Sequence, residues 1–170
     1  MTAYVLEDEF IRLHLLTGSI IMGLVIFRLV WGIAGTGHAR FTSFTPSLSS
    51  VKQHLRDLIR MQPSRHTGHT PAGSIMIYLL LAGLLLLTTS GLMLYGLEEG
   101  SGPLASVMDG MSYETGVWIK EVHPLIADTL ALFILLHVAG VFIESILQKQ
   151  NLIMAMITGR KYVTQKEDEA

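Results

Sequence analysis

Three stretches of the chain are nearly unbroken in apolar residues: Leu13 to Ala34, Ser74 to Leu97 and Pro124 to Leu147. Each is close to the ~20 residues that carry a helix across a bilayer core. Lone strands cannot satisfy their backbone polar groups in lipid, and three blocks of this length are too few and too long for a barrel. The pattern therefore predicts an all-α integral membrane helical bundle. Its spans fall at about 11–34, 74–97 and 122–147 within a single membrane domain over residues 1–170. A hydrophobic share of 50% against 15% charged residues agrees, being too apolar for an average soluble domain.

The connecting segments have their own patterns. From Pro46 to Gln62, residues Leu48, Val51, Leu55, Leu58 and Ile59 lie near one helical face, with Lys52, Arg56 and Arg60 elsewhere. That suits a helix lying on the membrane interface, or equally a loop helix packed on the protein. Pro63 and the cluster Gly68, Pro71 and Gly73 break the chain before the second span, and Gly100, Gly102, Pro103 and Gly110 mark the next loop as irregular. Trp118 stands where an interfacial aromatic would sit.

Charge orients the spans. The first loop, 35–73, carries Arg40, Lys52, Arg56, Arg60 and Arg65 against Asp57, whereas the loop from Glu98 to Trp118 has four acids and no Lys or Arg. The loop 35–73 is expected in the cytoplasm, with the tail 148–170 and its Lys149, Arg160, Lys161 and Lys166. The N-terminal segment with Glu7, Asp8 and Glu9 is then outside. Met1 to Phe10 is polar and acidic, unlike a cleavable signal peptide. An outside start of this kind would be natural if a further helix preceded Met1. A net charge of −2 argues against a nucleic-acid partner.

The chain has no cysteine, which excludes disulfides, zinc–thiolate sites, iron–sulfur clusters and the c-type haem attachment motif. Metal chemistry falls to histidine. His123 and His137 are fourteen residues apart on the third span, about 21 Å of rise and within about 40° of one face. Such a pair can supply one axial ligand to each of two haems stacked across a membrane, and Ala127, Ala131 and Gly140 beside it would leave porphyrins room. His14 begins the first span on the outer side, at the depth of His123, so these two imidazoles form the best ligand pair. Gly18, one turn below His14, removes a side chain where a macrocycle would press.

His137 lies well inside its span, where an unpaired polar ring is costly. It is a candidate ligand, with a hydrogen-bonded core histidine as the alternative, since no histidine at that depth stands on the other spans. Arg28 shares the face of His14 and would neutralise a haem propionate or snorkel to the headgroups. Asp128 and Glu144 are candidates for proton handling, for pairing with a neighbouring helix or for reaching an interface. His66 and His69 are secondary candidates, His38 and His54 weaker ones.

Several of these segments together resemble one family. Arg28-Leu-Val-Trp31-Gly32 with Gly35, His38-Ala-Arg40-Phe41 to Phe44, Gly68-His69-Thr-Pro71-Ala-Gly73 and Thr89-Ser-Gly91 belong to the pattern. So do Glu121-Val-His123, Leu136-His137-Val-Ala-Gly140-Val and Asn151-Leu to Gly159-Arg-Lys161. They resemble the bacterial b-type cytochrome that anchors nickel–iron hydrogenases and related dehydrogenases, over nearly all the chain after residue 10. The resemblance implies a four-helix bundle in the bacterial inner membrane, with haem b held by histidines of the first, second and fourth helices. His14, His123 and His137 match the second and fourth, and the family's first helix has no counterpart in these residues.

Bis-imidazole ligation leaves no open iron position, so the expected role is electron transfer. Electrons would pass between partner dehydrogenase or hydrogenase subunits, or a c-type cytochrome, and the quinone pool. One haem is expected between His14 and His123, and a second at His137 once another histidine is supplied. The rival readings are a haem-free membrane anchor or assembly subunit, and a quinone-reactive enzyme using His69 or Asp128 for proton transfer.

Overall fold

A computed structural model describes residues 2–43, 45–60, 70–147 and 154 of the chain. Its elements are helical throughout: α1 (Thr2–Ala34), two short 3-10 turns (Gly37–Ala39 and Phe41–Ser43), α2 (Leu48–Ile59), α3 (Pro71–Glu99), α4 (Ala105–Met108) and α5 (Tyr113–Leu147). Glu9–Ala34, Pro71–Glu99 and Tyr113–Leu147 are each long and apolar enough to cross a bilayer. Each covers the span expected from the sequence and begins before its expected start, and the second also ends past its expected end, because hydropathy marks the lipid-facing length while helical hydrogen bonding continues until a residue interrupts it. Pro124 lies inside α5. It lacks an N–H and so leaves the Lys120 carbonyl without its intrahelical partner, a defect tolerated in membrane helices.

The chain divides into two compact units, one of residues up to Ser43 with Ile77–Phe133, the other of Phe44–Met76 with the segment from Ile134 onward. In the first unit α3 meets both other long helices. Thr88 Oγ1 donates to Leu84 O at 2.7 Å and reaches Met22 Sδ of α1 at 3.4 Å. Gly83 lets α5 come close: a Cβ there would lie 2.8 Å from Leu130 Cδ1. Val25, Met108 and Leu130 are buried, while Leu16, Leu24, Phe27 and Leu125 point outward. An apolar outer surface is what a helix facing lipid requires.

The chain leaving α1 folds back on its own unit. The Phe41 ring fills the notch left by Gly32, where any Cβ would overlap it. Tyr78 of α3 stacks at a tilt on the ring, centroids 5.7 Å apart, and donates its hydroxyl to Phe41 O at 3.1 Å. At the other end of α3, Gly102 has φ +90°, a conformation that suits glycine, and its missing side chain makes room for the Tyr95 ring.

In the second unit, Ser47 caps α2 by accepting from Ser50 N at 3.1 Å. The amphipathic helix expected over 46–62 is thus present in the described residues as Leu48–Ile59. Its apolar residues Leu48, Leu55 and Ile59 stay exposed while His54 is the buried side chain. That arrangement suits a helix on the membrane interface. Thr70 Oγ1 accepts from Gly73 N at 3.2 Å and so begins α3.

Candidate functional site

The structure brings together the two histidines paired from the sequence. His14 of α1 and His123 of α5 stand with ring centroids 6.2 Å apart and planes at 84°. A metal bonded to one imidazole nitrogen on each side at about 2 Å per bond sets the centroids roughly 6 Å apart. The separation of the pair would let one metal ion sit between the two imidazoles. Beside it, a Cβ on Gly18 would meet nothing within 4 Å, so the wall there is open. No group of three or more His, Cys, Asp or Glu side chains assembles a metal site among the described residues. Two imidazoles suit an iron whose remaining ligands come from a porphyrin.

α3 supplies the bed for His123. Nδ1 lies 2.8 Å from Ser90 Oγ, and Ser90 Oγ also donates to Leu87 O at 2.9 Å. Ser90 is buried and the His123 ring half-buried. Next to Ser90, a Cβ on Gly91 would come within 3.2 Å of His123 Cε1, so the glycine admits the ring edge. Sequence reasoning noted Ser90 and Gly91 only within the Thr89-Ser-Gly91 segment of the family pattern and gave neither a role at His123. The available signal was three successive hydroxyl residues, Thr88, Thr89 and Ser90, inside an apolar block.

The other candidates are dispersed. His137 is half-buried on α5 in the second unit, and so is not in the unit that holds His14 and His123. Arg28 engages its own polypeptide: Nη1 donates to Ala39 O at 3.2 Å and the guanidinium lies 4.9 Å over the Phe41 ring. Asp128 is exposed. Glu144 takes the helix-pairing role among those considered, its Oε1 2.9 Å from His54 Nε2 and accepting from Thr70 Oγ1 at 3.2 Å. His54, weakly ranked from the sequence, is thereby a buried partner. His66 and His69 and the side chain of His38 lie outside the described residues.

Comparison with known proteins identifies the family of the chain. A family model described as prokaryotic cytochrome b561 matches residues 1–159. A probable Ni/Fe-hydrogenase B-type cytochrome subunit of Rhizobium leguminosarum bv. viciae is 26% identical over 92% of this chain and 70% of its own length. The proteins of that name from Rhodobacter capsulatus and Bradyrhizobium diazoefficiens are 22% and 21% identical over 94% and 87% of the chain. The chain spans 64% of the length of each of those two relatives. No solved structure matches the chain significantly. With a match over residues 1–159 and three apolar helices of membrane-spanning length, the chain belongs to the prokaryotic cytochrome b561 family, as a multi-pass membrane protein similar to hydrogenase B-type cytochrome subunits.

Proposed function

We propose that this chain is a haem b-binding membrane subunit that relays electrons, with His14 and His123 as the axial ligands of one haem. The observation that carries the reading is the 6.2 Å separation of their rings. When bound, the haem supplies reversible one-electron oxidation and reduction. Held by His14 and His123, such a haem would have no open position for oxygen and would serve electron transfer. Gly18 leaves room at the ligand pair.

The names of the similar proteins support a hydrogenase as the partner oxidoreductase. Electrons then pass between it, or a c-type cytochrome, and the quinone pool of the bacterial inner membrane. A second haem would take His137 as one ligand and an imidazole supplied by a further helix or a partner subunit. The tail and the loop 35–73 face the cytoplasm, on the strength of their basic residues.

The test is spectroscopic. Purified chain should show a low-spin bis-imidazole b-type spectrum, and His14→Ala or His123→Ala should each abolish it. An unchanged signal in the His123→Ala protein would sink the assignment, and purified wild-type chain without a Soret band would favour the haem-free anchor.

A further inference from the structure

We infer that Ser90 is a positioning residue for the site: its hydroxyl fixes the tautomer and orientation in which His123 offers Nε2 to the iron. This rests on the proposed ligation by His123.

The hydroxyl has one proton and two lone pairs. The Leu87 carbonyl, 2.9 Å from Ser90 Oγ, takes the proton, so the oxygen turns a lone pair toward His123 Nδ1 at 2.8 Å. Nδ1 therefore carries the ring hydrogen, and the lone pair of the neutral imidazole resides on Nε2, the nitrogen available to a metal. Ser90 is only 8% exposed, so water competes poorly for either bond. The Leu87 carbonyl anchors the hydroxyl to the backbone of α3, which makes the acceptor rigid. Gly91 completes the support by letting the ring edge lie against α3, where a Cβ would come within 3.2 Å of Cε1. Between the hydroxyl and the glycine, rotation of the ring about its side-chain torsions is restricted before any ligand arrives. Partners of this kind set the ring orientation of a ligating histidine and raise its basicity.

A more basic imidazole favours the oxidised iron. Removing the hydroxyl should therefore raise the midpoint potential, and freeing the ring should speed haem loss. The discriminating pair is Ser90→Thr and Ser90→Val, which have nearly the same shape and differ in the hydroxyl, with Ser90→Ala as a third variant. In full-length purified protein, Ser90→Thr should stay close to wild type. Ser90→Val and Ser90→Ala should keep a bis-imidazole spectrum but lose haem to apomyoglobin about tenfold faster. Their midpoint potential should rise by a threefold change in the redox equilibrium, about 30 mV at 59 mV per tenfold. Equal haem-loss rates and equal potentials in the Thr and Val proteins would overturn the role of Ser90. Survival of the bis-imidazole spectrum in His123→Ala would instead remove the ligation on which it rests.

Discussion

His54 Nε2 lies 2.9 Å from Glu144 Oε1, joining residues ninety positions apart in the chain. Thr70 Oγ1 donates to the same oxygen at 3.2 Å, so a single carboxylate oxygen ties α2 and the residue ahead of α3 to α5. His54 is 2% exposed, whereas Leu48 and Ile59 of the same helix are 82% and 84% exposed. α2 is thus held to its unit by a polar anchor while its apolar side is turned away.

Loss of the anchor should release α2. Leaving a buried hydrogen-bond partner unsatisfied costs about 1–3 kcal/mol, which is up to roughly a hundredfold in a local opening equilibrium. Glu144→Ala should therefore expose Lys52 and Arg56 to much faster tryptic cleavage in detergent, while Glu144→Gln, which keeps an acceptor, should be cut more slowly than Glu144→Ala. Identical cleavage of Glu144→Ala and wild type would mean that α2 is held by something else.

Gly18 should separate stability from cofactor content. A Cβ there meets nothing within 4 Å, and replacing an interior helical glycine by leucine gains about 0.5–1 kcal/mol of helix propensity. Gly18→Leu should keep or raise the thermal midpoint of the haem-free chain while its haem content, by pyridine haemochrome, falls several-fold. Full haem content in Gly18→Leu would show that the open wall beside His14 is not where the macrocycle sits.

The notch at Gly32 makes a packing prediction. A Cβ there would overlap the Phe41 ring, and the ring is held by Tyr78 and capped by Arg28. Gly32→Ala should destabilise by about 1–3 kcal/mol, and Phe41→Ala should relieve most of that penalty in the double variant. Additive losses, measured by denaturation in detergent, would argue that the two residues do not meet.

Topology can be read directly because the native chain has no cysteine. Ser101→Cys, in the acidic loop, should react with a membrane-impermeant maleimide in intact cells. Lys52→Cys, among the basic residues, should react only after permeabilisation. The reverse pattern would invert the proposed orientation.

The membrane architecture was legible because a bilayer imposes a length: an unbroken apolar run of about 20 residues has few other uses. The three runs became α1, α3 and α5, and the proximity of His14 and His123 followed from depth, since each residue stands at the same end of its apolar run. Hydropathy did not reveal which faces meet. A helix apolar all round carries little periodic signal, so lipid-facing and helix-facing residues read alike. The contact of Ser90 with His123, the fit of Phe41 to Gly32 and the approach of Leu130 to Gly83 emerge only when the helices pack. α2 shows the same limit from the other side. Its amphipathic pattern was plain, yet the side chain that docks is His54, because a buried hydrogen bond to Glu144, ninety residues away, selects the inward face, and sequence periodicity carries no record of a partner that distant.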